Sequence, residues 1–140
     1  MIAGIGIDLV ALPRIARALE RFGDRFLERM LSPAEREAIP ADRVPFVAGR
    51  FAAKEAGLKA LGTGVAGGIG WRDVEILRQP SGAPIIRYRA GALACLKAMG
   101  VTAAHVTLTH TREHAAACVV LEVAGAGPCA QSGSSGGRSK

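Results

Sequence analysis

Two acids in this 140-residue chain stand in surroundings that a solvated surface carboxylate does not need. Asp8 ends the run Gly4-Ile5-Gly6-Ile7-Asp8, and Glu55 lies between Phe51 and Leu58 on a stretch with helical apolar spacing. Glu55 comes four residues after Phe51 and three before Leu58, so the pattern aims its carboxylate at the core side. A buried, ionised acid costs several kcal/mol unless it is paired or binds a metal. Lys59 at i+4 is one partner in the favourable order, and a metal ion is the other. For Asp8 the plain reading is a turn-forming aspartate at a strand end. Taken together, two oxygen donors from separate segments, completed by water and substrate phosphate, match the way magnesium is held at phosphate-transfer sites.

Basic groups cluster near Glu55. Arg50, Lys54 and Lys59 share its helix, and Gly62-Thr63-Gly64 follows. Those glycines would let backbone amides approach a phosphate, although Gly-Thr-Gly also serves as a simple helix stop and matches neither the dinucleotide fingerprint nor the P-loop. His105 and His114 flank a hairpin and read as solvated. His110 continues the Val106/Leu108 face of Val106-Thr107-Leu108-Thr109-His110-Thr111, as a core histidine or as a site group at the strand end.

These residues need particular elements to hold them. Residues 2–9 read as a strand with Ala3, Ile5, Ile7 and Leu9 on one face and Gly4, Gly6 and Asp8 on the other. Two interior glycines beside an acid mark a place where another chain or a ligand comes close. From Pro13, the spacing of Leu12, Ile15, Leu19, Phe22, Phe26 and Met30 predicts a helix broken near Gly23. Arg14, Arg17 and Arg21 form a row on it, and Arg25 extends the row if the helix continues; with Glu20 and Asp24 nearby this is ordinarily a solvated face.

Ser32-Pro33-Ala34-Glu35 has the form of a capping box opening a short helix that Pro40 ends. A longer helix is expected from about Arg43 to Leu61, stopped by Gly62. Strands follow around 72–78 and 84–88 with a turn at Gln79-Pro80-Ser81-Gly82, then a helix over 90–99 and a closing hairpin over 105–111 and 115–123. The class is α+β, a mainly antiparallel sheet with a long central helix. Residues 1–124 form the domain, and 125–140, rich in Gly and Ser without hydrophobic period, read as a disordered tail.

The formal charge is +6; without Arg138 and Lys140, 16 basic residues still face 12 acidic ones, which favours a negatively charged partner. Only 4% of residues are aromatic and no recognition motif is present, which argues against nucleic acid. No apolar run nears the roughly 18 residues of a membrane span. The N-terminus lacks a basic leader and carries an acid, so no secretory signal is read and a cytoplasmic location is expected. Cys95, Cys118 and Cys129 have no CxxC spacing and indicate neither disulfides nor zinc.

The blocks Gly4-Ile5-Gly6-Ile7-Asp8, Ala48-Gly49-Arg50-Phe51-Ala52-Ala53-Lys54-Glu55-Ala56, Lys59-Ala60-Leu61-Gly62-Thr63-Gly64 and Val106-Thr107-Leu108-Thr109-His110-Thr111 resemble, in order and spacing, the signatures of the small bacterial holo-[acyl-carrier-protein] synthases. The resemblance runs from Met1 to about Val123; Thr107 and Thr109 stand where the family often has serine. It implies a 4'-phosphopantetheinyl transferase-like fold and transfer of 4'-phosphopantetheine from coenzyme A to a serine of apo acyl carrier protein, in fatty acid biosynthesis.

The resemblance further implies that Asp8 and Glu55 hold Mg2+, and that Arg50, Lys54, Lys59 and Gly62-Thr63-Gly64 surround the coenzyme A phosphates. It puts His110 and Thr111 at the nucleotide end of the cleft. Glu55, directly or through a metal-bound water, would remove the serine proton, with Lys59 stabilising charge on the leaving group. Arg14, Arg17, Arg21 and Arg25 become candidates for docking the acidic carrier. Family members are homotrimers with active sites between subunits. Two alternatives stay open: the same chemistry on a carrier of secondary metabolism, and a non-catalytic basic module that binds coenzyme A or nucleic acid. Two acids beside the phosphates argue against the second, because a polyanion binder gains nothing from them without a metal.

Overall fold

The computed structural model describes residues 1–62 and 68–125. Thr63, Gly64 and the expected tail from 126 onward lie outside them. The chain runs β1 (Ile2–Ala11), α1 (Leu12–Phe22), α2 (Asp24–Met30), α3 (Pro33–Glu37), α4 (Arg43–Ala60), β2 (Val74–Arg78), β3 (Pro84–Tyr88), α5 (Ala90–Ala98), β4 (Val101–His110) and β5 (His114–Val123). A 3-10 turn, Trp71–Asp73, leads into β2. The strands form a three-stranded antiparallel sheet in the order β1-β5-β4 and a separate β2-β3 hairpin. The class is α+β, as expected.

Helix α4 is the axis of the molecule. Between Val47 and Ala60 every residue is buried except Glu55 and Lys59. A helix buried nearly all round needs small residues to let its neighbours approach, and α4 supplies Ala48, Ala52, Ala53, Ala56 and Ala60. It lies across the inner face of the three-stranded sheet and touches the β2-β3 hairpin, where the Tyr88 hydroxyl donates to the Gly57 carbonyl at 3.0 Å.

The glycines of β1 are there for this helix. A β-carbon on Gly4 would stand 2.1 Å from the Ala60 carbonyl oxygen, and one on Gly6 would stand 1.8 Å from that of Ala56. The close approach expected from another chain or a ligand is therefore made by the protein's own α4. The opposite face of β1 stays uncovered: Ile5, Ile7 and Leu9 are exposed by 60%, 65% and 64%.

The expected long first helix is broken where foreseen. Gly23, at φ +55°, separates α1 from α2. Ile15, Leu19, Leu27 and Met30 are buried, each adding about 2 kcal/mol of apolar burial, but Phe22 is not. The break turns Phe22 out of the stripe, and its exposed ring lies beneath the Arg21 guanidinium at 5.1 Å. For the same reason the arginine row stops at Arg21, and Arg25 sits on a separate helix. The Ser32/Glu35 capping box is present with both reciprocal bonds. Strand β4 starts at Val101, four residues before the expected start, because Gly100 ends α5 and Val101 pairs at once with Val123.

Candidate active site

The row of β1 residues facing α4 runs Gly4, Gly6, Asp8. Two strand residues advance about 6.7 Å and four helical residues about 6 Å, so the pairing of Gly4 with Ala60 and Gly6 with Ala56 carries Asp8 toward the preceding turn of α4. That turn ends in Glu55. Lys59 reaches back across β1: its Nζ donates to Asp8 Oδ1 at 2.9 Å and to the Ile7 carbonyl at 3.0 Å. Asp8, not Glu55, is therefore the ionic partner of Lys59.

Glu55 sits half-buried at the margin of α4, and its Oε1 accepts a hydrogen bond from Trp71 Nε1 at 2.8 Å. Its expected aim into the core is corrected by this geometry: the stripe turns past it, and the indole meets it at the edge. The remaining oxygens, Asp8 Oδ2 and Glu55 Oε2, have no hydrogen-bond partner among the described residues.

The acid that is fully buried is Glu35, which the sequence marks only as a capping residue. Its Oε1 receives Lys54 Nζ at 2.7 Å and the Ser32 amide at 2.9 Å, and its Oε2 receives the Ile76 amide at 3.1 Å. Lys54 also donates to the carbonyls of Trp71 and Val74. All three ammonium donors are thus occupied on a side chain with no solvent exposure, and burial pulls its pKa below the ordinary lysine value against the raising effect of Glu35. The expectation that Lys54 contacts a phosphate is corrected here: it joins α4 to α3 and to the start of β2.

Arg50 lines a cavity of about 460 Å³ together with Phe46, Gly49, Arg78, Thr109 and His110. Its guanidinium lies 4.1 Å from the Phe46 ring centroid, and its Nε has no hydrogen-bond partner among the described residues. Desolvation first, then the Arg78 charge, lower its pKa to about 10, while Glu35 partly opposes them. The cavity thus holds a desolvated cation that makes no ion pair among the described residues, with Asp42 elsewhere on the lining. Arg78 carries no mark in the sequence beyond its charge and becomes visible only when the hairpin folds back against α4.

His110 opens onto this cavity and onto an adjoining one of about 510 Å³, also lined by Thr111 and Arg112. The Thr111 hydroxyl accepts from the amides of Glu113 and His114, which shapes the β4-β5 turn. His105 is exposed and faces Glu122 at 2.9 Å, and His114 is exposed, as expected. Gly62 serves as the helix stop: at φ +73° it donates its amide to the Lys59 carbonyl. Arg14, Arg17, Arg21 and Arg25 are all exposed, and Arg14 lies 5.4 Å over the Phe51 ring. The structure therefore brings Asp8 and Lys59 together, with Glu55 one helical turn before Lys59 on α4, and lines one cavity with Arg50 and His110. The rise along α4 from Arg50 to Glu55 is about 7.5 Å.

Trp71 escaped the sequence reading. Its signal was available as the sole tryptophan of the chain, next to a glycine and ahead of a strand, but no periodicity ties position 71 to position 55.

A family model described as the 4'-phosphopantetheinyl transferase superfamily matches residues 4–119. The chain is 54% identical over 123 residues to the holo-[acyl-carrier-protein] synthase of Maridesulfovibrio salexigens, covering 87% of this chain and 99% of the relative. Among solved structures it is similar to the holo-[acyl-carrier-protein] synthase of Neisseria meningitidis, with a TM-score of 0.80 and 37% identity over 87% of this chain and 99% of that one. It is also similar to the Helicobacter pylori enzyme solved in complex with coenzyme A, with a TM-score of 0.76 and 34% identity over 84% and 99% of the two chains.

Proposed function

The chain belongs to the holo-[acyl-carrier-protein] synthase family of the 4'-phosphopantetheinyl transferase superfamily, and from that premise we propose that it transfers 4'-phosphopantetheine from coenzyme A to a serine of apo acyl carrier protein. The serine oxygen attacks the β-phosphorus of coenzyme A. The bond from that phosphorus to the bridging oxygen breaks, and adenosine 3',5'-bisphosphate leaves. The observation that carries the reading is the close packing of β1 on α4, with Lys59 bridging to Asp8 one helical turn after Glu55.

The donor set fits a magnesium ion. Asp8 and Glu55 each keep one oxygen without a protein partner, and no cluster of three or more His, Cys, Asp or Glu able to hold a metal occurs among the described residues. A hard cation bound by two carboxylates, with water and phosphate oxygens for the rest, suits magnesium rather than a metal that needs an all-protein cage. When bound, Mg2+ would neutralise negative charge on the pyrophosphate. Lys59 has two donors on β1, which leaves its third N–H for the leaving phosphate. Glu55 would accept the serine proton.

Arg50 and His110, with Thr111 beside them, would receive the nucleotide end of coenzyme A, and the charge state of Arg50 supports an anion there. Gly62-Thr63-Gly64 would complete the phosphate side. Arg14, Arg17, Arg21 and, from α2, Arg25 present positive charge to an acidic carrier, which would speed encounter and set register. The uncovered Ile5, Ile7 and Leu9 face supports a homotrimer, with active sites between subunits. No described helix is long and apolar enough to cross a membrane, and the reading places the enzyme in the cytoplasm, serving fatty acid synthesis.

The test is incubation with apo acyl carrier protein, coenzyme A and Mg2+, with and without chelator, read by the intact mass of the carrier. A gain of one phosphopantetheine that chelator or Glu55→Gln abolishes is the expected result. If a control enzyme modifies the carrier and this protein does not, the assignment of that carrier fails.

A further inference from the structure

One turn of α4 grips Trp71 at three points. Phe51, Lys54 and Glu55 stand at i, i+3 and i+4 and so share a helix face. The Phe51 ring packs against the indole with centroids 5.6 Å apart and planes tilted by 55°. Lys54 Nζ holds the Trp71 carbonyl at 2.9 Å, and Glu55 Oε1 takes the indole N–H at 2.8 Å. The far side of Trp71 is fixed as well, because Asp73 Oδ2 accepts from the Gly70 amide at 3.0 Å and closes the 3-10 turn. Lys54 is itself immobilised on buried Glu35. The direction of the indole N–H is therefore set by the core and not by solvent.

We propose that Trp71 is a positioning residue for Glu55, holding Oε1 so that Oε2 alone serves the metal and the incoming serine. The proposal rests on the reading of Glu55 given above. An indole N–H can donate but cannot accept, so it locks one carboxylate oxygen without competing for the other. A charge-assisted bond of this kind also holds the glutamate χ angles, which a half-exposed side chain would otherwise sample freely. Partners of this sort behind a metal ligand change metal affinity or activity by roughly 10- to 100-fold when removed.

Trp71 is the only tryptophan in the chain, so its fluorescence reports this contact directly. The experiment titrates MgCl2 into the full-length wild-type protein while following indole emission. In parallel it measures the Mg2+ dependence of transfer for wild type and Trp71→Phe. The expected result is a saturable emission change in wild type that Asp8→Asn removes. Trp71→Phe should need about tenfold more Mg2+ for half-maximal transfer, with the KM for coenzyme A and the melting temperature unchanged.

Chelator-sensitive wild type together with a folded Trp71→Phe of unchanged Mg2+ requirement and kcat overturns this proposal alone. Wild type that transfers equally well in chelator overturns the metal reading of Glu55 and the proposal with it. If Trp71→Phe does not fold, the wild-type titration decides: emission unmoved by Mg2+ in an active, chelator-sensitive enzyme overturns the proposal.

Discussion

Gly6 lies so close to Ala56 that a β-carbon added to it would stand 1.8 Å from the Ala56 carbonyl oxygen. The obstacle is backbone in the middle of a buried helix, so no rotamer change relieves it. Gly6→Ala must push β1 away from α4, and it separates Asp8 from Lys59 as it does so. We expect a loss of about 3 kcal/mol or more in urea denaturation, at the upper end of overpacking costs, and transfer activity below detection. A variant with wild-type stability would show that strand and helix are not in this contact.

Lys54→Met leaves Glu35 buried with only the Ser32 and Ile76 amides as partners and strips the Trp71 and Val74 carbonyls of their shared donor. Breaking a buried pair by removing one member costs about 3–5 kcal/mol. Chemical denaturation should show a loss of that size. Changing both residues, as Glu35→Leu with Lys54→Met, should recover much of it, since no uncompensated charge remains. A single variant as stable as wild type would rule out the pair as the tie between α3, α4 and β2.

Arg50→Gln separates stability from function. The guanidinium is desolvated and faces Arg78, which is why its pKa is lowered to about 10; at neutral pH it stays charged, and the folded state bears the cost of that burial. The sign follows from linkage: a base with a lowered folded pKa binds fewer protons folded than unfolded between about pH 10 and its ordinary value, so its penalty is full below that window and shrinks with rising pH. Removing the charge should leave the melting temperature at neutral pH equal or higher. A charged hydrogen bond to phosphate is worth about 1.5–3 kcal/mol, so the KM for coenzyme A should rise on the order of 10- to 100-fold. An unchanged KM would move the nucleotide end out of this cavity.

Local rules reached far in this chain because its elements are punctuated. Gly23, Ser32, Pro33, Gly62, Gly82 and Gly100 mark ends and turns, and each ends or turns an element close to where it was expected. The close approach at β1 was legible because glycines and an acid on one strand face have few explanations. Illegible were the contacts that depend on how elements close on each other. Lys54 and Lys59 look alike in sequence, but they differ by about 140° around a straight helix. That angle sends one into the core to Glu35 and the other across β1 to Asp8. Trp71 and Arg78 belong to a hairpin whose placement against α4 has no periodic signature. The glycine face was right in kind and wrong in partner, since a strand pattern says that something comes close without saying what.

Ile7 is 65% exposed between Ile5 and Leu9, and across the sheet it pairs with Cys118. This face does not contribute to the core of the single chain, so an acid there has no reason to unfold it. If three copies cover the face, Ile7→Glu buries three carboxylates in an apolar interface, each costing several kcal/mol. The expected outcome is a monomer by light scattering, with unchanged far-ultraviolet circular dichroism and lost transfer activity. Activity should fall with assembly and not before it, because Asp8 lies on the other face of β1 and keeps its contact with Lys59. A trimeric, active Ile7→Glu protein would remove this face from the subunit interface, and an active monomer would show that one chain holds a complete site.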